Sequence, residues 1–304
     1  MNLIAIVAGL LLVGANLWDG FETVVLPRRV SRQVRLARLF FRATSRFWYG
    51  LARRVKDRGR REDFLGYYGP LALLLLLAAW AAGVILGFAL IDWGFGSNIA
   101  TPEKTVNFAD NLYLSATTFF TVGLGDVTPV GWPSRIMTAI EGGTGFGFLA
   151  LVIGYVPVLY QSFSRRETRI SILDEWAGSP PTAAELLRRV AIYQNIDGLD
   201  PFLREWENWS AELLETHLSY PVLAFFRSQH ENQSWLGALT TILDTCSLII
   251  VGVDDVKSHA ARLTFAMARH AVVDLSQVFG VRPQYPEMDR LLPAELAQLR
   301  EGLA

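Results

Sequence analysis

Two long stretches without charge constrain this chain most strongly. Residues 64–91 contain no Asp, Glu, Lys or Arg, and residues 142–164 contain none either. At about 1.5 Å per helical residue, each stretch is long enough to cross a hydrocarbon core of about 30 Å. Buried helices of water-soluble proteins rarely run past about 20 residues. Both stretches are therefore predicted to be membrane-spanning helices.

The distribution of basic residues predicts the orientation of these helices. Residues 28–61 contain 13 Lys and Arg residues, and Asp57 is the only acidic residue among them. Because the cytoplasmic loops of membrane proteins are enriched in Lys and Arg, this segment is predicted to be cytoplasmic. In the inner (plasma) membrane, the N-terminus is then expected outside and residues 165–304 in the cytoplasm.

Residues 1–18 form a further stretch without charge. It is either a signal peptide or a retained membrane helix. A signal peptide has a basic start and a small-residue cleavage site, and neither is clear here. We therefore expect a retained helix. The predicted divisions are an N-terminal transmembrane helix, a basic arm, a membrane domain and a cytoplasmic domain, at residues 1–27, 28–63, 64–164 and 165–304.

Arginines recur at short intervals in the basic arm, as Arg29, Arg32, Arg35, Arg38, Arg42 and Arg46. A spacing of three is typical of voltage-sensing helices, but the companion helices that shield such charges are missing from this chain. We favour an amphipathic helix lying on anionic lipid headgroups, with apolar contacts from Phe41 and Trp48. Nucleic acid is not an expected partner of the arm, because a membrane lies beside it.

The segment between the two long stretches carries the most informative motif. Asn107 is a suitable N-cap for a helix of about three turns, which is too short to cross a bilayer. The chain then continues with Thr121-Val122-Gly123-Leu124-Gly125-Asp126. Irregular backbone survives at membrane depth only where it is buried in protein or lines a watery cavity. The chain is therefore expected to dip into the membrane here and return.

This motif resembles the selectivity filter of potassium channels, usually written T-V-G-Y-G-D. Such a filter turns successive backbone carbonyls toward one axis, where they replace the hydration shell of K⁺. The resemblance covers residues 64–164. It implies an all-α membrane protein with an outer helix, a pore helix, a filter and an inner helix. It also implies a homotetramer, because each chain supplies one of four filter strands.

The resemblance assigns roles to residues in and around the motif. K⁺, the permeant ion, would bind to the backbone of the filter, and no cofactor is expected; the filter residues are Thr121, Val122, Gly123, Leu124 and Gly125. Asp126 would concentrate cations in an outer vestibule. Glu141 has two interpretations. It is either a brace behind the filter, bonded near Thr117 or Thr118, or a group that reaches water at the outer interface.

Leu124 departs from the family pattern, in which tyrosine is most frequent. Leucine lacks the hydroxyl group that can form a hydrogen bond behind the filter, although it occurs here in some two-pore-domain potassium channels. A potassium-selective channel is therefore expected, and two alternatives stay open. They are a weakly selective monovalent cation channel and a membrane-tethered sensor or scaffold with a vestigial pore. No arrangement of nucleophile and base is visible, so an enzyme is not expected.

Glycines are frequent in both long stretches. In residues 142–164 they are explained either by close packing against the pore helix or by a gating hinge. Gly145 and Gly147 are candidate gate residues, as is Pro157, which removes a helix hydrogen bond and favours a kink. In the first stretch, Gly83 and Gly87 have the G-x-x-x-G spacing that lets a neighbouring helix approach closely.

Residues 165–304 are predicted to form an all-α cytoplasmic domain. Four segments favour helices, at residues 183–195, 200–218, 235–253 and 258–279. The third is apolar enough for a further span, but Asp244 at its centre favours a buried helix. The domain has no dinucleotide fingerprint, so it does not resemble the nucleotide-binding gating domain of many prokaryotic potassium channels. A gating ligand of unspecified kind is an open partner for it.

Overall fold

The computed structural model describes residues 1–26, 36–102, 105–193, 198–228, 230, 232–252, 259–281, 284 and 292–303. Its contacts divide the chain into unit 1, Met1–Leu159, and unit 2, Tyr160–Ala304. The helices are α1 Leu3–Gly20, α2 Leu36–Ala52, α3 Arg58–Gly66, α4 Tyr68–Gly94, α5 Phe108–Phe119, α6 Trp132–Ala177, α7 Ala183–Ile192, α8 Leu199–Ser219, α9 Trp235–Gly252, α10 His259–Phe279 and α11 Pro293–Leu303. Short helical turns cover Phe21–Val25 and Pro221–Phe225.

Unit 1 is built on the packing of α1 against α4. A methyl group added to Gly9 would lie 2.5 Å from the Gly87 carbonyl oxygen, and one added to Gly83 would lie 2.5 Å from the Asn16 side chain. At Gly9 and Gly87 the backbones of the two helices touch and leave no room for a side chain, and at Gly83 the Asn16 side chain occupies that space. The neighbour that the G-x-x-x-G spacing predicted for α4 is therefore α1.

The described part of the basic arm forms α2 and α3. Asp57 caps α3, since its carboxylate accepts a hydrogen bond from the Arg60 backbone N–H at 2.8 Å. An aspartate at the N-cap stabilises a helix by satisfying one of its free N–H groups. Arg29, Arg32 and Arg35 lie outside the described residues, and Arg38, Arg42 and Arg46 lie on α2.

The second long stretch is part of a helix twice as long as predicted. The charge-free residues 142–164 lie inside α6, Trp132–Ala177, which has 46 residues and continues through Pro157. The prediction concerned the membrane-spanning part, and the helix continues beyond that part at both ends. Arg165 and Glu167 are good helix formers, so a change from lipid to water does not by itself end a helix.

Unit 2 has its own apolar core. Its helices α7 to α10 agree with the four predicted segments, apart from ends that lie outside the described residues. The helix α9 carries Leu239, Ile242, Cys246 and Ile249 into this core. By length and composition, four helical segments of the described chain can cross a membrane: Leu3–Val25, Arg58–Gly94, Trp132–Ala177 and Trp235–Gly252. The packing of α9 agrees with the buried-helix interpretation.

A buried arginine on α6 binds the segment that follows α8. The Arg166 guanidinium donates to the carbonyl oxygens of Leu223 at 3.0 Å and Phe226 at 2.7 Å, and it lies 3.3 Å from Nε2 of His217. It also pairs with Glu167 at 2.8 Å. Buried charges are tolerated when they are paired and fully hydrogen-bonded, and Arg166 meets that condition. It thereby ties the segment after α8 to the C-terminal part of α6.

Candidate pore and selectivity filter

The helix α5 starts at a reciprocal cap. The Asn107 side chain accepts hydrogen bonds from the backbone N–H groups of Ala109 at 2.7 Å and Asp110 at 3.3 Å. In return, the Asp110 carboxylate accepts one from the Asn107 N–H at 2.8 Å. This capping box satisfies free donors at the helix start and fixes its position. The predicted N-cap at Asn107 is confirmed.

The backbone reverses direction immediately after α5. The Thr117 carbonyl oxygen accepts hydrogen bonds from the N–H groups of Val122 at 2.8 Å and Gly123 at 3.3 Å, and the Thr118 carbonyl accepts one from Thr121 at 3.0 Å. The last turn of α5 thus holds the start of the predicted filter. Thr117 and Thr118 do so through their backbone carbonyls rather than their side chains.

Residues 121–125 have an alternating backbone. The φ angles of Thr121, Gly123 and Gly125 are 56°, 55° and 81°, whereas those of Val122 and Leu124 are negative. Alternation between left- and right-handed conformations turns successive peptide groups toward the same side of the chain. Positive φ suits glycine but strains a β-branched residue such as Thr121, at a cost of about 1–3 kcal/mol. Such strain is typical of functional sites.

The side chains of this segment are exposed in the single chain. Val122 is 56% exposed and Leu124 is 66% exposed, which is unusual for two apolar residues in a well-ordered turn. Asp126 is also exposed, but the Tyr113 hydroxyl group on α5 holds it by hydrogen bonds to both carboxylate oxygens at 3.1 and 3.0 Å. The helix α5 therefore holds both ends of the segment.

Glu141 lies inside unit 1, with 1% of its surface exposed. Its carboxyl group is hydrogen-bonded to the Ser115 hydroxyl group on α5. The partner, Ser115, precedes Thr117 by two residues on α5, so Glu141 is bonded near Thr117 as the first interpretation expected, although neither threonine is itself the partner. Nor does Glu141 reach water in the single chain, as the other interpretation required. The contact joins α6 to the middle of α5.

The candidate gate residues differ in their surroundings. A methyl group added to Gly145 would clash with the backbone of Phe119 at the end of α5, whereas one added to Gly147 would meet nothing within 4 Å. Gly145 thus allows α6 to touch the pore helix, which is the packing explanation of the two given above. Gly147 has no such packing role within one chain, and Pro157 lies inside the continuous helix α6.

Comparison with known proteins bears on this arrangement. Residues 72–161 match a family model described as "Ion channel", and the match covers most of α4, all of α5 with the alternating segment, and α6 up to residue 161. Over these residues the chain is similar to ion channels, and we refer to residues 72–161 as the ion-channel domain on the basis of that similarity. The "Uncharacterized membrane protein YdjJ" of Bacillus subtilis (strain 168) is 23% identical over 258 residues, 84% of this chain and 72% of that protein. No solved structure matches the chain.

Several polar residues of the ion-channel domain escaped sequence-based prediction. Tyr113 and Ser115 make the contacts just described, and Asn111 is fully buried with its amide group 2.9 Å from the Ser97 hydroxyl oxygen. Asn111 and Ser115 are four residues apart, so they share one face of α5. A polar pair at helical spacing within an apolar context is the signal that could have identified them.

The described residues contain no group of three or more His, Cys, Asp and Glu side chains that could hold a metal ion.

Proposed function

We propose that this chain is a subunit of a potassium-selective channel, in which four copies surround one filter. The alternating backbone of residues 121–125 carries the proposal. It lies between two helices long enough to cross a membrane, inside the ion-channel domain, and it is held at both ends by α5. Four such strands around an axis would present rings of carbonyl oxygens that replace the hydration shell of K⁺.

The exposure of Val122 and Leu124 supports assembly around an axis. If the carbonyl groups face the axis, these side chains face away from it and are covered by neighbouring copies. Burial of large apolar side chains stabilises such contacts by roughly 1.5–3 kcal/mol each. Ions would pass down their gradient, and the chain would carry out no covalent chemistry. Asp126 would lie at the outer end and attract cations.

Flux measurements on the full chain in liposomes test this function. We expect K⁺ to pass far faster than Na⁺ under equal gradients. Gly123→Ala should abolish the flux, because φ is 55° there and an added methyl group strains the filter backbone. Gly96→Ala is the matched control, since Gly96 also has positive φ and open surroundings but lies in the loop after α4.

Each alternative predicts a different result. Equal rates for K⁺ and Na⁺ would indicate a weakly selective cation channel and would be ascribed to Leu124. A flux that is absent from the unsubstituted protein, or that Gly123→Ala leaves unchanged, would indicate a sensor or scaffold with a vestigial pore. Equal loss in the Gly123→Ala and Gly96→Ala variants would show that backbone strain anywhere in the domain stops conduction.

A further inference from the structure

The helix α2 presents two adjacent surfaces that the rest of unit 1 leaves uncovered. One is a row of arginines at intervals of four residues: Arg38, Arg42 and Arg46. The other is an apolar surface formed by Leu39, Phe47 and Leu51, of which Phe47 is 67% exposed. Residues four apart lie on one side of a helix, so the cationic row and the apolar surface run side by side along α2.

The third side of α2 is attached to the start of the outer helix. The Trp48 ring stacks on Phe64 at 4.4 Å, and its indole N–H donates to the Phe64 carbonyl oxygen at 3.0 Å. The Tyr68 hydroxyl group donates to the Phe41 carbonyl oxygen at 3.1 Å and lies 3.0 Å from the Thr44 hydroxyl group. These contacts hold α2 in one orientation, so its two free surfaces also have a fixed orientation.

The first turn of α2 is anchored deeper along α4. One oxygen of Asp19, which is 4% exposed, accepts hydrogen bonds from the Ala37 backbone N–H at 3.0 Å and from the Trp80 indole N–H at 2.9 Å. Trp80 follows Tyr68 by 12 residues, or about 18 Å along a helix. The helix α2 therefore runs beside α4 from the level of Tyr68 to that of Trp80, next to a segment that is long and apolar enough to cross a membrane.

The arginine row is not neutralised within the described residues. Arg38, Arg42 and Arg46 are exposed, and no described carboxylate lies within ion-pair distance of any of them. Long basic side chains next to a membrane-spanning segment extend their charged ends toward lipid phosphates while their stems stay in apolar surroundings. Three cations beside an apolar surface match the two parts of a phospholipid with a negative headgroup.

We propose that Arg38, Arg42 and Arg46, together with Leu39, Phe47 and Leu51, form a binding surface for anionic phospholipids. The arginines contact the phosphate and glycerol headgroup, and the apolar side chains contact the upper part of the acyl chains. Because Asp19 and Tyr68 attach α2 to α4, a lipid bound here also contacts the outer helix of the ion-channel domain through α2. Nucleic acid would use the arginines but would leave Phe47 and Leu51 in water.

Lipid retention by the full chain tests the proposal without relying on ion conduction. Purified protein is equilibrated with mixed micelles that contain equal amounts of phosphatidylglycerol and phosphatidylcholine, repurified, and its bound lipids are quantified by mass spectrometry. We expect phosphatidylglycerol to be enriched, and the enrichment to fall with salt. In the triple variant R38Q/R42Q/R46Q it should fall at least about fivefold, the factor for removing one basic residue near an anionic surface.

A matched control removes the same charge from unit 2. Arg204, Arg262 and Arg269 are exposed on α8 and α10, so R204Q/R262Q/R269Q should retain the enrichment. Circular dichroism and gel filtration check that both triple variants fold. Three results would overturn the proposal: no preference for phosphatidylglycerol, an equal loss in both triple variants, or displacement of the lipid by a short DNA duplex. None of them depends on whether the chain conducts ions.

Discussion

Ser115 has one hydroxyl hydrogen and lies beside two acceptors, the Ile85 carbonyl oxygen at 2.7 Å and the Glu141 carboxyl group. A single hydrogen shared between two acceptors gives two weakened hydrogen bonds. Both contacts are full hydrogen bonds only when the carboxyl group supplies a hydrogen of its own. An amide side chain can supply one as well, whereas an alkyl side chain cannot. Three helices, α4, α5 and α6, meet at this hydroxyl group.

We therefore predict that Glu141→Gln preserves the stability of the ion-channel domain. Glu141→Ala should reduce it by about 1–3 kcal/mol, because the change removes the partner of Ser115 and leaves a cavity. Thermal unfolding of the full chain in detergent measures both effects. Similar losses in the two variants would contradict the hydrogen-bond argument, because they share only the loss of the carboxyl group.

His217 is fully buried, and its Nδ1 lies 2.8 Å from the Leu213 carbonyl oxygen. Burial, together with the nearby Arg166, lowers the pKa of His217 to about 3. In the unfolded chain its pKa is about 6.5, so the unfolded state takes up a proton first as the pH falls. The stability from a neutral His217 is complete above about pH 6.5 and is lost progressively toward pH 3.

This linkage predicts a pH-dependent difference between the unsubstituted protein and His217→Gln. Between pH 7.5 and pH 5 the unsubstituted protein should lose about 2 kcal/mol more than the variant, since glutamine does not titrate. Chemical unfolding of the full chain at several pH values, with a probe for unit 2, measures the difference. Parallel pH profiles would contradict the prediction, because they would show that folding leaves the pKa of His217 unchanged.

At the scale of helices, Gly145 and Gly147 on α6 allow a role in helix packing to be distinguished from a role as a hinge. Gly145→Ala should destabilise the domain by about 1–3 kcal/mol, because its methyl group clashes with the end of α5. Gly147→Ala meets no atom in the same chain and should stabilise the helix by up to about 1 kcal/mol. If Gly147 is a hinge, its variant should also open less often, which single-channel recording measures. Equal destabilisation by both changes would contradict the distinction.

Two neighbouring arginines on α6 allow a buried contact to be compared with an exposed one. Arg166→Gln should reduce the stability of unit 2 by about 3 kcal/mol or more, because it leaves the Leu223 and Phe226 carbonyl groups without their donor. The control is Arg165→Gln. The Arg165 side chain is 69% exposed and lies 3.6 Å from Glu212, so its loss should cost under about 1 kcal/mol.

Unfolding of the full chain in denaturant, followed by the fluorescence of the unit 2 tryptophans, measures both variants. Equal losses of stability in Arg166→Gln and Arg165→Gln would mean that the buried hydrogen bonds of Arg166 do not stabilise unit 2. A Lys at position 166 should recover only part of the stability, because an ammonium group cannot donate in the planar pattern of a guanidinium.

For the whole molecule, sequence patterns predicted the elements better than their contacts. Charge-free length located α4 and α6, and the cap at Asn107 located α5, because these signals are local. The ends of α6 were missed, since charged residues continue a helix after it leaves an apolar environment. A bond from Glu141 to a group near Thr117 or Thr118 was expected, but its partner Ser115 was not identified, because the two residues are 26 positions apart. Positive φ at Thr121 was not predictable, because intrinsic preferences oppose it.

The proposed assembly makes a prediction for the whole molecule. A single chain leaves Val122, Leu124 and the apolar side chains Ile140, Phe146 and Ile153 of α6 exposed. We expect the protein in mild detergent to have four times the mass of one chain, and native mass spectrometry measures this directly. A monomer under conditions that preserve ion flux would rule out a four-copy filter.

The close contact of α1 with α4 has a consequence for biosynthesis. Gly9 and Gly87 meet within one polypeptide, and the Asn2 backbone N–H donates to the Gly94 carbonyl oxygen at 2.7 Å. All residues of this contact lie within the first 94 positions, so they leave the ribosome before α5 and α6 do. A nascent chain arrested after α4 therefore already contains the packed pair of helices, α1 and α4, on which α5 and α6 later pack.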